Sequence, residues 1–183
     1  FLNEVFEWGE MQTDPNFGNY RVRLGDAKQP DRLVLLDFGA MKQFPKQFLD
    51  PFRNMVSAAH HEQRQLFIDY AIELEFMSSE YPDEGLQNFA DVSMEIIEPL
   101  AKNTSKIPDF ALNENGEYRW AESNLPKRVA KKASQASLSK YFALPPKEFM
   151  FMNRKLIGVY SFIKILRAEF NGGPFLGKHL GGL

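Results

Sequence analysis

The sequence predicts an α+β domain that is mainly helical, with its β structure gathered near the N-terminus. Three observations carry this. Before Pro45 the chain alternates short strand-like runs with loops of Asp, Asn, Pro and Gly. After Pro45 apolar residues recur at threes and fours, the period of a helix face. At 183 residues and 44% hydrophobic content, one core is supported, so the chain reads as one domain or one large lobe. Seventeen Phe and seven Met predict a core of large, adaptable side chains. The expected parts are residues 1–45, carrying loops and a hairpin, a helical body over 46–171, and a Gly-rich tail over 172–183.

Element by element, Phe1 to Trp8 has the apolar spacing of the last turns of a helix, with Gly9 as its stop. Residues 10–19 carry loop chemistry. Tyr20 to Leu24 alternates in the period of a strand, Gly25 to Asp31 is a turn region, and Arg32 to Leu36 reads as a short buried strand. Together they form a hairpin that delivers Asp37 at its exit. Lys46 to Met77 reads as helical, with Pro51 near a start or kink, and Asp83 to Lys102 as a second helical stretch. Asn115-Gly116 marks a small hairpin or loop within Pro108 to Trp120. Ala121 to Tyr141 reads as another helix. Pro145-Pro146 opens a last long one, Lys147 to Phe170, and the tail from Gly172 is expected to be mobile.

Composition narrows the function classes. A net charge of −2 gives no footprint for nucleic acid. With no Cys there is no disulfide and no thiolate site. His60, His61 and His179 lack zinc-site spacing, and His60 and His61 read as helix surface. No segment has the apolar length to span a bilayer, and no signal peptide is visible. Lys127, Arg128, Lys131 and Lys132 form a basic cluster, read as a solvated face in preference to a lipid-headgroup contact.

Two stretches carry chemistry: Gln12-Thr13-Asp14-Pro15-Asn16-Phe17-Gly18-Asn19, and Leu33-Val34-Leu35-Leu36-Asp37-Phe38-Gly39. Each alone is an ordinary turn or strand end. In order, with a hairpin between them, they give the carboxylate–amide–carboxylate series with which kinases hold magnesium and a nucleoside triphosphate. Mg²⁺ takes hard oxygen ligands, which Asp37 and Asn19 offer. Pro15 restricts Asp14 to extended geometry and stiffens it to face an attacking hydroxyl or water. Gly39 lets the backbone turn away from Asp37.

These stretches, with Leu35-Leu36-Asp37-Phe38-Gly39-Ala40, resemble the "QTDPN…N" and "LLDFGA" signatures of the UbiB/AarF (ADCK-type) atypical kinases. Pro145-Pro146 and Phe149 to Leu156, with Arg154-Lys155-Leu156, resemble the helix that ends that family's C-terminal lobe. The resemblance implies a protein kinase-like fold, of which this chain would be the C-terminal lobe. It implies Asp14 as the catalytic aspartate, Asn19 and Asp37 as magnesium ligands, and Asn16, Asp37 and Gly39 on the nucleotide side. The implied cofactors are Mg²⁺ and ATP. The implied role is ATPase or kinase activity in ubiquinone (coenzyme Q) biosynthesis or prenyl-lipid homeostasis. A prenyl-lipid or quinone precursor and a peripheral membrane or biosynthetic complex are the implied partners. The implied place is the cytoplasmic side of a bacterial membrane, or the mitochondrial matrix in a eukaryote.

Three departures from protein kinases argue against peptide substrates. Gln12-Thr13 replaces the usual His-Arg, Asn16 stands where a Lys is common, and no Ala-Pro-Glu follows Gly39. In kinase chain order the nucleotide-covering loop and the phosphate-pairing Lys precede the catalytic loop, but only thirteen residues precede Asp14. The N-terminal lobe is therefore expected outside this chain, and the chain alone is expected to show no appreciable turnover. Two rival readings remain at this level: a small-molecule phosphotransferase of the aminoglycoside or choline kinase type, and a non-catalytic nucleotide- or lipid-binding scaffold. The apolar series Phe149, Met152, Leu156, Val159, Tyr160, Ile163 and Leu166 reads as core before it reads as a prenyl site.

Overall fold

A computed structural model describes residues 1–135 and 145–181. It opens on a short π-helical turn, Glu4–Trp8, which stops at Gly9 in the left-handed region (φ 67°). Four short strands follow: β1 Glu10–Gln12, β2 Tyr20–Arg23, β3 Arg32–Leu35 and β4 Met41–Gln43. They are nested. β2 pairs antiparallel with β3, and β1 pairs antiparallel with β4 outside it. The strand β1 was not legible, because three residues offer no alternation to read. Its anchor is Met11, which is fully buried.

The β2–β3 ribbon corrects an expectation. Leu33, Val34 and Leu36 have buried-strand composition, yet they are exposed, as are Val22 and Leu24 across the turn. A two-stranded ribbon has no second layer of its own, so apolar residues on it are covered only where another element reaches them. Here that cover comes at one end, where Tyr20 meets Phe162 with ring centroids 5.8 Å apart.

The helical body comprises α1 Lys46–His60, α2 Arg64–Glu73, α3 Asp83–Ile97, α4 Leu125–Gln135, α5 Lys147–Ile165 and α6 Gly173–Leu180. The stretch expected as one helix from 46 to 77 is broken after His60. Glu62 takes φ 58°, and the N–H groups of His61 and Glu62 close onto Ser57 and Ala59 carbonyls. No Gly or Pro announces that break. The helix expected over 121–141 begins at Leu125, and residues 136–144 lie outside the described residues. The Gly-rich tail, expected to be mobile, folds as α6. Pro174 sits in its first turn, and Leu176 and Leu180 are buried in the core.

Aromatic rings fix the long helix α5 to this body. Phe48 and Phe52 of α1 stack at 5.4 Å, Phe6 stacks on Phe52, and Phe149 of α5 meets both Phe52 and Phe76. Each such ring contributes about 1.5–3 kcal/mol by leaving water. The basic cluster of α4 also departs from expectation. Lys127 and Lys131 are exposed, but Arg128 turns inward to Glu95 at 2.7 Å and to Glu98, and Lys132 pairs with Glu95 at 2.7 Å. Opposite charge at the end of α3, on Glu95 and on Glu98 just past it, decides this, since a largely buried carboxylate pair needs cations. Burial raises the nearby Tyr118 hydroxyl, which donates to Glu98, above its ordinary value.

His60 is not helix surface. It is buried, with Nδ1 2.7 Å from the Leu100 carbonyl oxygen, and it meets the His61 ring edge-on. Desolvation, with His61 and Lys102 adding repulsion, holds its pKa below the ordinary 6.5 despite the Leu100 carbonyl. Above pH 6.5 both folded and unfolded chains carry it neutral, and below that pH the unfolded chain binds the extra proton first. Stability is therefore expected to fall as pH drops from 7 through 6 and toward the lowered folded value. Denaturant melts at stepped pH check this, and a His60→Gln variant is expected to flatten that part of the profile.

Candidate active site

The nested strands create a window. Residues 13–19 connect β1 to β2, and residues 36–40 connect β3 to β4. The two segments face each other because they are tied at both ends. On one side Gln12 is opposite Met41, and the Thr13 N–H and hydroxyl both donate to the Ala40 carbonyl at 2.9 Å. On the other side the Leu36 N–H donates to the Asn19 carbonyl at 2.9 Å, next to the Tyr20–Leu35 pair. Two sequence stretches that are separated by the hairpin are thus held facing each other between the outer and the inner strand pair.

Within the first edge, the Asn19 amide nitrogen donates to Asp14 Oδ2 at 3.0 Å. That commits the Asn19 donor and leaves its Oδ1 to accept or coordinate. Asp14 is partly exposed, and its other oxygen lies 3.5 Å from the Arg154 guanidinium. Asn16 caps a short 3₁₀ turn, Phe17–Asn19, by accepting the Gly18 N–H at 2.9 Å. Its side-chain nitrogen carries no hydrogen bond among the described residues.

Asp37 stands on the opposite edge and is exposed. Its Oδ1 accepts the Gly39 N–H at 2.7 Å, so it is folded onto its own turn and makes no bond to Asp14 or Asn19. The Gly39 N–H is therefore already engaged. A Cβ at Gly39 would lie 3.1 Å from Asp37 Oδ1 and would press on that carboxylate. The structure thus joins Asp14 to Asn19 and sets Asp37 on the facing segment. Among the described residues no group of three or more His, Cys, Asp or Glu side chains gathers to hold a metal. The donors at the window are two carboxylates and one amide oxygen, all hard oxygen, and this chemistry suits Mg²⁺ with phosphate oxygens completing its shell.

The sequence did not disclose how much of this loop rests on α5. Arg154, Lys155, Gly158 and Phe162 follow one side of that helix. Arg154 reaches Asp14, and Phe162 packs against Phe17 and Tyr20 at 5.6 and 5.8 Å. Lys155, buried, donates to Gln12 Oε1 and to the Tyr20 hydroxyl, both at 2.9 Å. Gly158 lies directly under Pro15, so close that a Cβ there would sit 2.1 Å from the proline Cβ. These residues are far from the loop in sequence, and the resemblance carried by Arg154-Lys155-Leu156, their charge and a lone Gly in a helix did not point to the loop as their partner.

An apolar cleft of about 840 Å³ opens beside the loop, lined in part by Pro15, Phe17, Tyr20, Leu156, Val159 and Phe162. It does not include Asp14, Asn19 or Asp37, so this cleft is next to the polar window and not at it. The face of α5 read as core lies largely along this cleft, and on α5 only Met152 and Lys155 are buried.

Comparison with known proteins places these features in context. A family model described as the ABC1 atypical kinase-like domain matches residues 1–71, which contain both edges of the window. The chain is 29% identical over 175 residues to "Atypical kinase coq-8, mitochondrial" of Caenorhabditis elegans, covering 95% of this chain and 22% of that protein. It is 30% identical over 165 residues to "Atypical kinase COQ8B, mitochondrial" of Rattus norvegicus, covering 87% of this chain and 27% of that protein. It is 27% identical over 170 residues to "Probable serine/threonine-protein kinase abkA" of Dictyostelium discoideum, covering 93% and 28%. The chain thus spans about a quarter of the length of the curated relatives it matches.

Proposed function

Because this chain belongs to the UbiB/AarF (ABC1) atypical kinase family, we propose that its window receives the phosphate end of Mg-ATP. The activity we assign to the full-length protein is ATP hydrolysis or phosphotransfer in support of ubiquinone biosynthesis or prenyl-lipid homeostasis. One observation supports the reading: the nested pairing of β1 with β4 around β2 and β3 sets the segment that carries the Asp14–Asn19 hydrogen bond opposite the segment that carries Asp37. Magnesium, when bound, neutralises phosphate charge and holds the triphosphate for in-line attack.

The residues divide the rest of the work. Asp14, steadied by the Asn19 amide, accepts the proton of the attacking hydroxyl or water. Asn19 Oδ1 and the free oxygen of Asp37 serve as cation ligands. Asn16 offers its uncommitted amide donors to the nucleotide phosphates, and the Gly39 N–H keeps Asp37 oriented. Arg154 supplies a positive charge near Asp14, where Asn16 supplies none. The nucleotide-covering half of such a site is proposed to come from sequence outside these residues, so turnover is expected of the full-length protein and not of this chain by itself.

The apolar cleft beside the loop supports a prenyl-lipid or quinone precursor as the partner molecule, reached from a membrane surface or within a biosynthetic complex. No helix among the described residues is long and apolar enough to cross a membrane. The mitochondrial names of the relatives favour the matrix over the bacterial alternative.

The test is metal binding in the full-length protein, read by the Mn²⁺ electron-spin signal with ATP present. Asp37→Asn is expected to weaken Mn²⁺ binding by at least about tenfold, roughly 1.4 kcal/mol, without lowering the melting temperature. Undiminished binding in that variant would remove Asp37 from the metal site and the reading with it.

A further inference from the structure

We propose that Lys155 is the positioning residue of the catalytic loop: one buried ammonium on α5 holds both of its ends. The contacts are specific. Nζ donates to Gln12 Oε1 at 2.9 Å, immediately before Thr13-Asp14, and to the Tyr20 hydroxyl at 2.9 Å, immediately after Asn19. It is 3% exposed, whereas the other Lys among the described residues are mostly at the surface. Its counter-charge is Glu4, 3.8 Å away, whose other oxygen accepts the Gln12 N–H at 3.2 Å. The Asp14–Asn19 hydrogen bond is thus slung between two points fixed to the same cation.

Neutralising Glu4 alone does not account for this arrangement. The Glu4 pair is longer than either hydrogen bond, and the two shorter bonds go to neutral groups that flank the loop. Lysine has only donors, so Gln12 must present its oxygen, and the Gln12 amide nitrogen is left buried without a partner among the described residues. An orphaned buried donor is unfavourable, and the fold accepts it where Gln12 is turned toward Lys155. The ammonium rides on a long helix that aromatic rings pin to the body, so its position does not follow loop motion. Its place in the reaction rests on the reading of Asp14 and Asn19 above; the clamp itself does not.

The experiment separates the two. In protein labelled with nitrogen-15 only at asparagine, the Asn19 side-chain amide reports its bond to Asp14 by chemical shift and proton exchange. Tyr20→Phe keeps the ring against Phe162 and leaves the Lys155–Glu4 pair intact, so its fold is retained. Its Asn19 amide is expected to shift toward the free value and to exchange about fivefold faster, the equivalent of one lost hydrogen bond. Gln12→Leu is expected to do the same from the other end. Lys155→Met is expected to exceed both, and Lys155→Arg to restore part of the signal. In full-length protein these variants are expected to lower kcat for ATP hydrolysis while leaving KM for ATP nearly unchanged. If Lys155→Met does not fold, Tyr20→Phe and Gln12→Leu carry the test. An Asn19 amide unmoved in the folded variants overturns the clamp. An amide that moves, in a protein whose turnover survives Asp14→Asn, overturns the phosphoryl reading and leaves the clamp standing.

Discussion

Asp14→Asn in the full-length protein is expected to lower ATP turnover by about 10²–10⁴-fold, the usual loss when a positioned proton acceptor is removed. The same change is expected to leave stability within about 1 kcal/mol, because the Arg154 ion pair it breaks is solvent-exposed and weak. Geometry makes this a clean substitution. Asp14 Oδ2 accepts from the Asn19 amide, and an asparagine oxygen at the same place can accept the same bond, though without the charge that strengthens it. The loop therefore keeps its shape while the basic oxygen is lost. Asp14→Ala is a harsher change, since it also frees the Asn19 amide. Metal binding separates the roles: Asp14→Asn is expected to retain Mn²⁺ affinity, whereas Asp37→Asn is not. Turnover that falls in step with unfolding in Asp14→Asn, or that does not fall, would count against Asp14 as the acceptor.

The window was legible in part because its residues are few in kind and tied to turns. Asp-Pro-Asn and Asp-Phe-Gly announce sharp backbone changes, and the period-2 run of β2 announces the hairpin between them. The outer pairing of β1 with β4 was not legible. Each strand has three residues, and their partnership follows from the inner hairpin and from Thr13 bonding to Ala40. Without that pairing, sequence order alone does not place Asp37 opposite Asp14. The share taken by α5 was hidden for another reason. Lys155 and Gly158 lie more than a hundred residues beyond the loop, and the resemblance carried by Arg154-Lys155-Leu156 does not say that this helix meets the loop. A lysine in an amphipathic stretch reads as a snorkelling surface charge until its acceptors are seen. The same blindness to partners explains His60, which the helix period placed at the surface and the Leu100 carbonyl draws inside. It also explains the exposed β3, where apolar composition was read as burial although no second layer among the described residues covers the ribbon. Periodicity located the helices α3 and α5, but it misjudged which residues are covered where a distant chain segment decides the environment, as along the cleft face of α5.

Gly158→Ala carries the other large expectation, and two effects oppose each other in it. Alanine is the better helix former by about 1 kcal/mol, so propensity alone predicts a more stable α5. The contact predicts the reverse. The added Cβ would meet Pro15 Cβ at 2.1 Å and Cγ at 3.0 Å, well inside the ordinary carbon–carbon separation of about 3.5–4.0 Å. A proline ring cannot swing away as the end of a flexible side chain can, so the loop backbone must move by more than an ångström. Overpacking of this kind costs about 1–3 kcal/mol, which cancels or exceeds the propensity gain. Stability is therefore expected to change little or to fall modestly, while turnover falls about a hundredfold, the usual consequence of a catalytic group displaced by about 1 Å. Circular dichroism should show the helix content intact. Pro15→Gly removes the colliding Cβ and supplies the decisive control. In a double-mutant cycle, Pro15→Gly with Gly158→Ala is expected to regain activity relative to Gly158→Ala alone, with a coupling that neither change explains by itself. Additive losses would mean that the helix does not seat the loop through this contact, and that Gly158 serves α5 in some other way.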